Sequence, residues 1–204
     1  TNLTNLRELL IGRNQIEDFS VLENLQNLDS VNAESQYYVY GENINTIPNV
    51  VTEAMEENSI IATKDIAYDN CELKNGKINI IDSNQIATII FTSGNAKGTT
   101  IYFDLSGKLQ SNIYKISTKE DLSKISELSH KGVGFYGIEI QMETSIDMGA
   151  YYDIEEGTWK GDSWNPIGTE AIPFEGVFDG NFNTISGILT DKHYGGIFGV
   201  SIGT

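Results

Sequence analysis

Few side chains in this sequence could do chemistry. Cys71 is the single thiol. A thiol nucleophile needs a base beside it, whereas Asp69 and Glu72 flank this one and their charge disfavours the thiolate. Cys71 therefore reads as a small packed residue in a loop or at a strand edge. One cysteine also excludes an internal disulfide and a cysteine-rich zinc site. Two histidines, His130 and His193, leave little material for imidazole catalysis. The densest acidic run, Asp153-Ile154-Glu155-Glu156, could supply the paired carboxylates of glycoside hydrolysis. Charge runs of this kind usually form a solvated face, and no catalytic residue, cofactor site or metal site is assigned.

Three glycine- or acid-rich stretches look like ligand loops and fail on spacing or context. Gly94-Asn95-Ala96-Lys97-Gly98-Thr99-Thr100 lacks the spacing of a phosphate loop and reads as a hairpin connection. Gly132-Val133-Gly134-Phe135-Tyr136-Gly137 matches G-x-G-x-x-G, but a dinucleotide site needs a strand before it and a helix after it. Here a helix precedes it and a strand over 137–144 succeeds it. Asp179-Gly180-Asn181-Phe182-Asn183 opens like a calcium loop, yet its sixth position is Thr184 instead of glycine and its twelfth is Thr190 instead of glutamate. It reads as a turn between strands. There remains a set of aromatics in the Gly149–Trp164 loop. Tyr151, Tyr152 and Trp159 are the candidate ligand contacts, able to stack on sugars or to anchor a protein partner.

Charge narrows the partners. Thirteen basic and 29 acidic residues give a formal net charge of −16. That argues against duplex nucleic acid and against docking on anionic lipid, both of which need a basic footprint. Apolar residues make up 39% of the 204, enough to argue against disorder. No apolar run reaches the ~18 residues of a membrane span. Both ends lie inside patterned segments, so the chain reads as a fragment of a longer protein.

The first patterned segment repeats. Leu3, Leu6, Leu9 and Ile11 recur 22 residues on as Leu25, Leu28, Val31 and Ala33, and Asn2 and Asn5 recur as Asn24 and Asn27. The unit, L-x-x-L-x-x-L-x-I-x-x-N-x-I, is a leucine-rich repeat. Leu9 and Ile11 should point inward from a short strand, and the Asn14 amide should satisfy backbone groups at the turn. Ile16, Phe19 and Leu22 should close the convex side. The second unit decays at Gln36, where Asn14 would recur, and a new strand begins at Tyr37. A single repeat cannot bury its own core and must lean on the segment C-terminal to it.

Leu3-Thr4-Asn5-Leu6-Arg7-Glu8-Leu9 and Asn14-Gln15-Ile16-Glu17-Asp18 resemble the internalin-type surface proteins of Gram-positive bacteria. The resemblance implies that the repeat runs directly into an immunoglobulin-like domain sharing its core. Ile47-Pro48-Asn49-Val50-Val51 and Ile89-Ile90-Phe91-Thr92-Ser93-Gly94 extend it more loosely. From Tyr37 to about Leu109 the pattern itself reads as a small β-sandwich. Strands are expected at 59–63, at 77–81 after an Asn75-Gly76 turn, at 85–92 and at 99–105.

The last segment opens with a helix over Thr118–Leu128. Ser117-Thr118-Lys119-Glu120 is read as its capping box, and Leu122, Ile125 and Leu128 as its apolar stripe. His130-Lys131-Gly132 should end it, with the histidine at the negative end of the dipole. Further on stand Trp164-Asn165-Pro166-Ile167-Gly168, Phe174-Glu175-Gly176-Val177-Phe178-Asp179-Gly180-Asn181, Thr184-Ile185-Ser186-Gly187-Ile188 and Gly195-Gly196-Ile197-Phe198-Gly199. These four motifs, in order, resemble bacterial surface modules that carry the GLUG motif. The resemblance covers about residues 113–201. It implies a right-handed parallel β-helix with Ile and Phe inward and Trp164 packed under the first coil. Phe182 stands where that family usually has glycine, which would exchange a tight turn for a packed one. A β-helix of this extent should leave its C-terminal strand edge open, or covered by another copy.

The expected fold is mainly β: 1–36 the last leucine-rich repeat and its cap, 37–110 an Ig-like β-sandwich, and 111–204 the helix-capped start of a parallel β-helix. The expected function is non-catalytic, in adhesion to an unknown protein or glycan on a host or neighbouring cell and as a spacer in a secreted or surface-attached bacterial protein. The alternative is an accessory region of a large secreted carbohydrate-active enzyme or peptidase whose catalytic domain lies elsewhere.

Overall fold

The computed structural model describes residues 3–40, 48–55, 59, 61, 65–190 and 196–204. The protein is mainly β and divides into two compact units, Thr1–Gly107 and Lys108–Thr204.

In the first unit, β1 (Glu8–Leu10) and β2 (Ser30–Asn32) pair in parallel with Leu9 opposite Val31. The 22-residue recurrence of the sequence is thus the register of this pair. A 3-10 turn over Ser20–Asn24 joins them. The Asn14 amide donates to the carbonyls of Ile11 and Gly12 at 3.0 and 2.9 Å. Gln36 does the same work one repeat later. Its amide donates to Ile11 O at 2.7 Å and Ala33 O at 3.3 Å, and its oxygen accepts from Ile16 N–H at 3.1 Å. The longer amide is buried and fully used, so the hydrogen bonding that Asn14 provides is matched 22 residues on by a different residue type.

The chain then forms β3 (Tyr37–Tyr40), α1 (Asn49–Met55), β4 (Ile66–Asp69), β5 (Cys71–Lys74), β6 (Lys77–Ile80), β7 (Ala87–Phe91) and β8 (Thr100–Phe103). The sheet order is β3-β8-β7-β4, parallel between β3 and β8 and antiparallel elsewhere. β5 and β6 form a hairpin on an Asn75-Gly76 turn in which both residues have positive φ, the type I′ geometry that matches strand twist. The 94–98 stretch is the β7–β8 connection, and its Asn95 and Lys97 carbonyls accept from Ala33 and Ser35 N–H. Phe19, Val31 and Ala33 therefore share one apolar cluster with Tyr38, Ile89, Ile101 and Phe103.

One expectation needs revision in this unit. Helix α1 stands in a stretch read only as strands and turns. Val50, Val51 and Ala54 are its buried side, and burial overrides the strand propensity of the valines. The expected strand at 59–63 and Ile47 fall mostly or wholly outside the described residues.

The second unit begins with the β9 (Leu109–Gln110) and β10 (Ile113–Ile116) hairpin, then α2 (Lys119–His130), β11 (Glu139–Met142), β12 (Ile146–Asp147), β13 (Tyr151–Asp153), β14 (Thr158–Lys160), β15 (Val177–Asp179) and β16 (Ile185–Ser186). β10, β11 and β15 lie side by side in parallel, with Tyr114 opposite Ile140 and Ile140 opposite Phe178. β12 and β16 pair in parallel as well. Parallel bridges at Ile167–Phe198 and Phe174–Ser201 continue the pattern, and Phe178 N–H donates to Thr204 O at 2.7 Å. Between these rungs Phe135, Phe174, Phe198 and Phe178 pack in series, with neighbouring ring centroids 5.1–5.9 Å apart.

Helix α2 buries Leu122, Ile125 and Leu128 as its spacing predicts. The capping box sits one residue later than expected. Thr118 is the N-cap, and Asp121 takes the reciprocal role instead of Glu120. Asp121 accepts from Ser117 and Thr118 N–H at 3.0 and 3.1 Å and pairs with Lys108. Burial raises the pKa of this carboxyl. The Lys108 hydrogen bond and the backbone donors outweigh that effect and hold it below the usual carboxylate value. The helix runs on to His130, and Gly132 comes next but one at φ +112°.

Candidate functional site

The hairpin of β13 and β14 brings the three candidate aromatics together. It rises where the Ala150 N–H donates to Gly187 O at 2.9 Å. The same base closes on the other strand at Gly161, where φ is +119° and a side-chain carbon would meet Ala150 Cα at 2.8 Å. Only glycine fits that approach. At the tip, Asp153 Oδ1 accepts from the N–H groups of Glu155 and Glu156 at 2.9 and 3.0 Å, an Asx turn that fixes the loop 154–157. Glu156 pairs with Lys160 across the turn.

The register sets Tyr152 opposite Trp159 and Tyr151 opposite Lys160. Alternation then puts Tyr152 and Trp159 on one face of the ribbon and Tyr151 on the other. The Tyr152 and Trp159 rings meet edge to face, with centroids 5.5 Å apart and planes at 70°. All three remain open to solvent: Tyr151 is 58% exposed, Tyr152 50% and Trp159 57%. Ile154, at the tip, is 87% exposed. The sequence reading missed Ile154 as a contributor, because it lies inside the acidic run. An isolated two-stranded ribbon is marginal in water, so the edge-to-face pair helps to hold it. The arrangement can stack on a flat partner or accept a cation over a ring face.

Elsewhere the flagged residues are occupied by structure. Trp164 is buried, and its Nε1–H donates to Ile197 O at 3.2 Å. Two shallow cavities of about 360 and 320 Å³ run beside α2, and Ser123, Ser163 and Trp164 line both. His130 Nε2 lies 3.0 Å from Pro166 O at the end of α2. Cys71 opens β5, is buried, and has its Sγ 3.4 Å from Thr88 O. Burial, with the Asp69 charge adding to it, pushes its thiol up to about 11, where the thiolate is scarce at neutral pH. His193 and Gly195 lie outside the described residues. Among the described residues no group of three or more His, Cys, Asp or Glu side chains could hold a metal ion.

The 179–183 segment is a turn, as expected, but Phe182 is not packed. It is fully exposed, and with Asn181 it has positive φ. Asn181 and Asn183 anchor the turn by donating to Met142 O, both at 3.2 Å. The left-handed geometry that glycine would favour is therefore kept, and the phenyl ring is carried outward.

No family model matches the chain, and no solved structure matches it. Ninety-two residues, 44% of the chain, are 36% identical to part of a protein from Evansella cellulosilytica described as a putative Gly-rich membrane protein. The matched stretch is 10% of that protein's length. Among the described residues no helix is long and apolar enough to cross a membrane.

Proposed function

We propose that this chain is a non-catalytic binding and spacer segment of a secreted or surface-attached bacterial modular protein. In this reading residues 1–36 end a leucine-rich repeat, 37–110 form an Ig-like sandwich and 111–204 begin a GLUG-type parallel β-helix. The parallel β1–β2 register and the Asn14 and Gln36 amide bonds support the first assignment. The β3-β8-β7-β4 sheet with the β5–β6 hairpin supports the second, and the parallel rungs of β10, β11 and β15 support the third. The partner is a protein or glycan on a host or neighbouring cell.

One observation carries the functional part. Tyr152 and Trp159 are displayed half-exposed on a ribbon that the rest of the unit holds at its base. Large aromatics on the solvent side of a small hairpin contribute little to a core and much to an interface. The chain immobilised on beads should retain cells or surface glycoproteins, and Trp159→Ala with Tyr152→Ala should release them while circular dichroism stays unchanged. Equal retention by the double variant would remove the hairpin as the binding face.

A further inference from the structure

We propose that the Tyr152/Trp159 face binds a cationic side chain, the guanidinium or ammonium of an Arg- or Lys-bearing protein segment. This rests on the hairpin being the binding face and adds what that face selects. Aromatic rings attract cations over their faces through their quadrupole, and Trp does so most strongly. At half exposure both rings keep surface open to solvent beside their edge-to-face contact, the surface a cation would approach.

The net charge of the hairpin segment points to the same occupant. Asp153, Glu155, Glu156 and Asp162 all fall within 150–163, where Lys160 is the one cation and is already paired with Glu156. Asp153 and Lys160 alternate to the Tyr151 face, and Glu155 is in the turn at the tip. Elsewhere in the unit several carboxylates pair with lysines, as in Lys108–Asp121, Lys115–Glu143 and Lys131–Glu127. At the hairpin, carboxylates outnumber the local cation, and an incoming positive group would find both a ring face and a negative field. The same field repels phosphates and anionic glycans. It offers a neutral sugar no charge complementarity.

The test is a fluorescence-polarisation titration of the full chain, at physiological ionic strength, with a labelled arginine-rich nonapeptide. Its partner probe carries citrulline, the neutral isostere, at every arginine. The arginine peptide should bind at least about tenfold tighter than the citrulline peptide. Trp159→Ala should weaken it about five- to thirtyfold, Glu155→Gln about two- to fivefold, and Trp159→Phe should restore most of the loss, since a ring face remains. Equal binding by Trp159→Ala would mean diffuse attraction to an acidic chain and would overturn the proposal. So would equal binding of the citrulline peptide. Binding of a neutral hexasaccharide that Trp159→Ala abolishes would overturn the cation while leaving the hairpin as the binding face. Cell retention insensitive to Trp159→Ala would overturn both.

Discussion

The two hairpins β5–β6 and β13–β14 are built alike and use their apolar side chains in opposite ways. In β5–β6, Cys71 and Ile78 are buried, and Leu73 and Ile80 pack against the same cluster. Glu72, Lys74, Lys77 and Asn79 stand exposed on the outer face. Strict alternation thus fastens this ribbon to the core. In β13–β14, the side chains that could have made such a face, Tyr152 and Trp159, point to water with Ile154 at the tip. Hydrophobic content does not tell these ribbons apart. The difference is whether a second layer stands opposite the apolar face, and a ribbon without one is available to a partner.

Substitutions should separate the two ribbons. The largest effect is expected for Ile78→Ala, which empties a buried site in β5–β6 and should cost about 2–5 kcal/mol in urea unfolding. Asp121→Asn should cost about 1–2 kcal/mol in the second unit, by weakening the helix cap and the Lys108 pair. Its pH dependence has a definite sign. The folded carboxyl titrates below its unfolded value of ~3.9, so its stabilisation is present above that pH and is lost as pH falls through the folded value. The unfolding midpoint of the native chain should therefore fall more steeply below about pH 4 than that of Asp121→Asn. Trp159→Ala should cost only about 0.5–1.5 kcal/mol, the worth of an edge-to-face pair, while removing binding. A loss as large as that of Ile78→Ala would show Trp159 to be a core residue and collapse the contrast between the ribbons. The smallest effect has the opposite sign. Phe182→Gly relieves a left-handed residue whose ring is fully exposed and should raise stability by about 0.5 kcal/mol, read as a small rise in the urea midpoint.

Much of the local structure was legible because its causes are local. The Leu122-Ile125-Leu128 stripe and the Thr118 hydroxyl announce α2, although the choice between Glu120 and Asp121 as reciprocal cap could not be read. Lys108, thirteen residues upstream, helps to hold Asp121 there. The Asn75-Gly76 turn was legible for the same reason. Helix α1 was not, since Val50 and Val51 favour a strand and only burial of one side overrules them. Pro48, whose carbonyl accepts from Thr52 N–H at 3.2 Å, was the available signal for its start. Gln36 looked like the end of a pattern because side-chain length, rather than hydrogen-bonding capacity, set it apart from Asn14. At the candidate site, Tyr151, Tyr152 and Trp159 were visible as a cluster, whereas Ile154 was hidden among charges.

The sequence by itself determined the mainly β character, the 22-residue period, the turns and the acidic surface. These arise from residue type and spacing over a few positions. Which apolar side chains would be covered was decided only by tertiary structure, because coverage depends on what the chain brings opposite them from far away. Phe19 and Ile78 met a partner layer. Trp159 and Phe182 did not, and so what sets these residues apart from ordinary core residues exists only in three dimensions.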